Sequence, residues 1–263
     1  MGEFHTATGV IHYELLEATA PLQPNPPTVT LLHNFMSTGH AAWGPLLPAL
    51  SQRYRVLLPD LPGHGRSQGY PPHFNYADIV KQLAALMHHT AADSGHLAGC
   101  SMGGMLAQML VNGHFVQPRT LTLVSTTYSL NPATTGNTAA LTPENFKAGE
   151  KWMEATVKLH DPHHYPGYYY EVVLPAFRAL TPEIGIDLPL SALREWALPV
   201  CLIQGEEDEF FPPFIVEQMA DALPNAELHI VPEQKHALIF RQALKVSNLM
   251  LAFLNKYTHP SVN

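Results

Sequence analysis

At 263 residues the chain is long enough for one large hydrophobic core and too long for a scaffold that must be stapled by disulfides or a metal. Apolar residues make up 46% of it and charged residues 14%, below the roughly one quarter usual in soluble domains, which excludes disorder driven by charge. Fourteen Lys and Arg against 22 Asp and Glu leave a formal charge of −8 with no basic run, so nucleic acid is not an expected partner.

The opening residues Met1-Gly2-Glu3-Phe4-His5 have neither a basic start nor an apolar segment, and no stretch of about 18 apolar residues follows. A cytoplasmic protein without a membrane partner is the expectation. Glu3 to Thr8 and Val10 to Glu17, parted by Gly9, read as a hairpin at a sheet edge, closed by the proline-rich loop 21–27. Short apolar runs then alternate with amphipathic segments of helical length. The runs are Thr28 to His33, Arg55 to Pro59, His96 to Cys100, Thr120 to Ser125, Val200 to Gln204 and Glu227 to Val231. The helical segments are Ala41 to Gln52, Tyr76 to Ala92, Met102 to Phe115, Pro213 to Leu223 and Ala237 to Tyr257. This βαβ alternation predicts an α/β fold, a mostly parallel sheet with helices on both faces, whose reactive groups gather at the carboxyl ends of the strands.

One interval interrupts the pattern. About seventy residues between Ser125 and Pro199 carry no strand signal, too many for a loop in a compact domain. A helical lid over 128–196 is therefore expected, inserted into a core of 1–127 and 197–263. Thr142-Pro143-Glu144 predicts the start of one lid helix, and Tyr168 to Leu180 a second. Cys100 and Cys201 read as reduced core residues, having neither a disulfide framework nor metal spacing around them. The cluster His160, Asp161, His163 and His164 matches no ligand pattern either, so no metal is expected.

The chemistry sits at Gly99-Cys100-Ser101-Met102-Gly103, a G-x-S-x-G between a predicted strand and a predicted helix. A serine on so sharp a turn is lifted into the cleft, and the N–H of Met102 at the helix start can hold a developing oxyanion. A serine hydroxyl needs a general base and the base an orienting carboxylate. His236 alone among the histidines follows the last strand in a short loop. Asp208 follows the preceding strand, with Glu206 and Glu207 as alternatives for the acid.

On these residues the sequence resembles the α/β-hydrolase superfamily over nearly its whole length. The resemblance implies Ser101 as nucleophile, Asp208 as acid and His236 as base, with no cofactor. His33-Asn34-Phe35 matches the loop after the third strand, which implies Phe35 as the second oxyanion donor beside Met102. Asn34 stands where the family has glycine; asparagine tolerates left-handed φ, so a surviving hole with a polar contact from Asn34 is expected. Asp60 to Ser67 resembles the loop after the fourth strand, with a structural role. More than half of the aromatic residues of the insert are expected to pack its helices against the core, with Trp152, Tyr169 and Phe177 as the expected substrate contacts; Arg178 and Arg194 are expected in exposed ion pairs, with a substrate carboxylate as their alternative partner. The implied activity is hydrolysis of a small-molecule ester or lactone through an acyl-enzyme. Two alternatives remain at this point. One is a lyase similar to SHCHC synthase of the menaquinone pathway, against which Met105 replaces an arginine. The other is a ligand receptor of slow turnover on the same scaffold.

Overall fold

The computed structural model describes residues 1–71, 75–139 and 141–258. Ala140 of the expected lid and 72–74 and 259–263 of the expected core lie outside them. Eight strands form one sheet: β1 (Gly2–His5), β2 (Val10–Leu16), β3 (Thr28–Leu32), β4 (Arg55–Pro59), β5 (His96–Cys100), β6 (Thr120–Val124), β7 (Val200–Gly205) and β8 (Ala226–Val231). Their order is β1-β2-β4-β3-β5-β6-β7-β8. The edge hairpin β1–β2 and its junction with β4 are antiparallel, and every other pairing is parallel.

Side chains of the central strands alternate between two cores because the strand period is two. Leu121, Leu123, Val200 and Leu202 face one side, with α3 (Tyr76–His89), α4 (Met102–Asn112) and α9 (Pro213–Ala222) packed over them. Val124, Cys201 and Ile203 face the other, under α1 (Gly39–Trp43), α2 (Leu47–Leu50) and α11 (Ala243–Thr258). Both faces are covered, as the near-continuous apolar character of these strands requires.

Several helices differ from their expected spans. Ala41 to Gln52 is broken into α1, one 3₁₀ turn and α2, since Pro45 and Pro48 each remove a backbone donor. The last segment is parted at Gln242, whose φ and ψ of −129° and 37° are not helical, into α10 (Leu238–Arg241) and α11. Between β6 and β7 the described residues hold α5 (Pro132–Thr135), α6 (Glu150–His160), α7 (Leu174–Arg178) and α8 (Leu190–Leu193). Thr142-Pro143-Glu144 opens only a single 3₁₀ turn, and α6 begins later, at Gly149 as N-cap. The segment from Tyr168 runs through a π-helical turn, Tyr169–Val173, before α7, where Pro175 supplies no N–H for an α-helical bond.

The loop after β4 fixes the floor of the molecule's reactive edge. Asp60 is buried, and its two carboxylate oxygens accept the N–H groups of Gly39 at 2.9 Å and Arg66 at 3.0 Å. Ser67 Oγ donates to the Asp60 carbonyl and accepts from His12 N–H, tying the loop to β2. Asp60→Ala leaves two backbone donors in a buried place without partners. It is expected to lower stability by about 2–4 kcal/mol, read as a lower urea midpoint at unchanged slope.

Candidate active site

Ser101 follows β5 directly and has φ 50° and ψ −115°, a conformation non-glycine residues rarely adopt. The turn is that tight because glycines flank it. A Cβ on Gly103 would lie 2.1 Å from the Leu32 carbonyl oxygen of β3, and one on Gly99 2.2 Å from the Gly103 carbonyl oxygen. The strained serine is held from both sides: its N–H donates to Val124 at 2.9 Å, and its carbonyl accepts from Thr126 Oγ1 at 2.8 Å.

Asp208 and His236 come from the loops after β7 and β8, which parallel pairing sets side by side. Glu207 N–H donates to the Gln234 carbonyl at 2.8 Å, and the Glu206 carboxylate accepts from Glu233 N–H. These bonds join the two loops. His236 Nε2 lies 3.0 Å from Ser101 Oγ, while Nδ1 lies 2.9 Å from Asp208 Oδ2. Nδ1–H therefore donates to the carboxylate, and Nε2 is left to accept the serine proton. Asp208 is buried and also accepts from the N–H groups of Phe210 and Phe211 and from Gln204 Nε2. Glu206 and Glu207 are exposed and make no bond to the imidazole.

The N–H of Met102 is the first of α4 and has no intrahelical acceptor. Phe35 and Met102 line one cavity with Ser101 and His236, of about 80 Å³. The loop carrying Phe35 is fixed by His33, whose buried ring accepts Leu61 N–H at Nε2 and donates from Nδ1 to the Asn34 carbonyl. Burial lowers the pKa of this ring, and a neutral imidazole is what those two bonds require.

The left-handed residue of the loop is Met36, φ 61°, and not Asn34. Asn34 thus needs no tolerance of positive φ; its Nδ2 donates to the Phe35 carbonyl, and it lines the cavity. Trp152 and Phe177 also line it, whereas Tyr169 does not. Tyr169 is fully buried behind Met36, donating its hydroxyl to the Met36 sulfur at 3.0 Å, so it meets the cavity only through that side chain. Arg178 and Arg194 make no ion pair among the described residues; Arg178 donates instead to the Phe146 carbonyl.

Sequence reasoning missed most of the cavity wall. Met36, Tyr76, Met105, Leu130 and Leu180 line it but carry no motif. Phe210 and Phe211 stand next to Asp208 and had that proximity as their only signal. Cys100 is buried, and burial together with the Asp208 charge pushes its thiol up, so it stays protonated and inert. His160 and His164 point to different carbonyls, those of Thr156 and Gly65, and among the described residues no three potential ligands converge on a metal site. No described helix is long and apolar enough to cross a membrane.

Residues 31–248 match the family model described as alpha/beta hydrolase family. The chain is 29% identical over 233 residues to a magnesium-chelatase 30 kDa subunit of Rhodobacter capsulatus, over 77% of this chain and 78% of that one. A shorter match, 36% identical over 89 residues, is to a pimeloyl-acyl-carrier-protein methyl ester esterase of Aeromonas hydrophila, and spans 34% of this chain and 33% of the other. A solved meta-cleavage product hydrolase superposes with a TM-score of 0.77 at 18% identity, over 97% of this chain and 98% of its own, which is a likeness of fold.

Burial by itself would lower the His236 pKa, but the Asp208 charge, its hydrogen bond and the Glu209 charge outweigh it and raise the value above the ordinary 6.5. An imidazole so raised stabilises the fold below the unfolded value near 6.5, and that contribution is lost as pH climbs through the raised one. The His236 ring-proton resonances, followed by NMR, are expected to titrate above 6.5. In Asp208→Asn the midpoint should fall, because the largest favourable charge is gone; an unmoved midpoint would contradict the pairing.

Proposed function

The chain belongs to the alpha/beta hydrolase family, and from that premise we propose that it hydrolyses carboxylic esters or lactones through an acyl-enzyme on Ser101. The observation that carries the reading is the unbroken chain of bonds from Ser101 Oγ to His236 Nε2 and from His236 Nδ1 to Asp208. It ends in a cavity walled mainly by apolar side chains. The ester chemistry agrees with the name borne by the Aeromonas relative.

Ser101 Oγ bonds to the carbonyl carbon as its proton passes to His236 Nε2. Asp208 keeps the ring oriented and offsets the charge of the imidazolium. The carbonyl oxygen becomes an oxyanion facing the N–H groups of Phe35 and Met102. On collapse the carbon–oxygen bond to the alcohol breaks, and the alcohol leaves with the proton from Nε2. Water then adds to the acyl-enzyme by the same route, its proton going to His236 and on to Ser101 Oγ as the carboxylic acid departs.

The lyase alternative has less support. Met105 is buried in the cavity wall, and no Lys or Arg lines that cavity among the described residues, so an anionic acid has no cation to meet there. The receptor alternative is separated by kinetics: short-chain p-nitrophenyl esters should give an acyl burst followed by steady turnover, whereas a receptor releases product once and stops.

Ser101→Ala is expected to abolish both ester cleavage and labelling by a fluorophosphonate. Asp208→Asn should keep the fold and lower kcat by about two to four orders of magnitude, since the imidazole loses its orienting anion. Retained labelling in the first variant, or a wild-type rate in the second, would overturn the assignment.

A further inference from the structure

We propose that the alcohol half of the ester occupies a second cavity on the imidazole side of the site, and that Glu209 makes this cavity selective for an alcohol bearing a positive charge. The inference rests on the hydrolase reading above and adds the substrate class.

Two cavities meet at His236. Ser101, Phe35 and Met102 line the first, of about 80 Å³. None of the three lines the second, of about 280 Å³, which runs along His236, Ala237, Ile239 and Phe240 instead. When Ser101 Oγ bonds to the carbonyl carbon, the oxygen must face the N–H donors, and the departing group must face the imidazole that protonates it. The acyl half therefore belongs to the first cavity and the alcohol half to the second. The volumes then make the alcohol the bulkier half.

The walls of the second cavity define its chemistry. Phe146, Trp152, Phe210 and Phe240 supply aromatic rings, and Glu209 supplies the single carboxylate, with no Lys or Arg among the described lining residues. Glu209 Oε2 accepts the backbone N–H of His236 at 2.9 Å, which anchors the side chain. Its other oxygen has no bond or ion pair among the described residues. Glu209 is exposed at the mouth of this cavity, and a carboxylate held in place there, with aromatic rings in the same wall, attracts an organic cation by charge and by the ring quadrupoles and repels an anion, an attraction that salt screens. The net charge of −8 acts in the same sense at long range. His236 also lines this cavity, so the selectivity is fully expressed only above its raised pKa, where the ring is neutral.

The test uses three acetate esters on the full chain at low salt and at a pH above the His236 midpoint read by NMR: acetylcholine, its uncharged carbon analogue 3,3-dimethylbutyl acetate, and an acetate of a carboxylate-bearing alcohol of similar size. The expected order of kcat/KM is cation, neutral, anion, with at least about fivefold between the first two and a smaller spread at high salt. Glu209→Gln keeps an acceptor for the His236 N–H and removes the charge; it should bring the cation-to-neutral ratio within about twofold. A wild-type ratio at or below one, or a ratio untouched in E209Q, overturns the proposal. A second readout needs no turnover: tetramethylammonium is expected to perturb the fluorescence of the wild-type protein but not of E209Q or Trp152→Phe. Glu209-dependent binding without hydrolysis would sink the hydrolase reading and leave only a cation site in this cavity, while hydrolysis without cation preference would keep that reading and overturn the selectivity.

Discussion

Contact between backbones at the start of α4 fixes where the Ser101 hydroxyl sits, and the arrangement around it depends on that position. Helix and strand approach so closely at Gly99 and Gly103 that a single methyl group at either would overlap a carbonyl oxygen. The chain therefore leaves β5 through a left-handed Ser101, and the cost of that conformation, on the order of 1–3 kcal/mol, is met by the packing and hydrogen bonds around it. The strain has a use. It turns the hydroxyl out of the sheet toward the loops after β7 and β8, and leaves the first N–H of α4 beside it, so the positions of hydroxyl and N–H are set by one turn.

A second constraint is the burial of Asp208. An isolated carboxylate so deep would cost several kcal/mol or take up a proton. Here it accepts two backbone N–H groups, the Gln204 amide and the imidazole, which satisfy its oxygens and hold it in one orientation. The same anion sets both the tautomer of His236 and the direction of its pKa shift. Across the site, His33 is arranged the opposite way. Between a backbone donor and a backbone acceptor it stays neutral and acts as a spacer under the loop that carries Phe35. Two imidazoles near one serine thus have different duties because their partners differ in charge.

The sheet and the elbow were legible in the sequence because both depend on local signals. Five-residue apolar runs, glycines spaced around Ser101 and a histidine after the last strand need no tertiary information to be seen. Asp208 was separable from Glu206 and Glu207 only by reach, and burial is what distinguishes them in the structure. The helical breaks at Pro45, Pro48 and Pro175 were present in the sequence as prolines and were passed over in favour of apolar spacing. Tyr169 was unreadable for another reason. A tyrosine in a helical stretch looks the same whether it faces substrate or stands one layer behind it, and only the packing of Met36 decides. Asn34 shows the limit of reasoning by position: the left-handed residue of its loop lies two places later.

The segment between β6 and β7 packs directly on the loop that carries Phe35, which bears on how selection and chemistry are linked in the proposed reaction. The ring of Phe35 packs edge-on against Phe177 of α7 at 5.0 Å and against His64 of the loop after β4 at 4.9 Å. Phe177 in turn meets Phe146, and Phe146 meets Trp152 of α6. The side chain of Phe35 is thus held among the rings of the cavity wall. Close-packed aromatic contacts of this kind transmit a displacement from one ring to the next. On the proposed reading, a substrate that displaces Phe146 or Phe177 also disturbs the seat of Phe35, and a poor fit in the cavity then misplaces the proposed oxyanion donor. By that route residues between β6 and β7 would affect kcat as well as KM, although Ser101, His236 and Asp208 lie outside that segment.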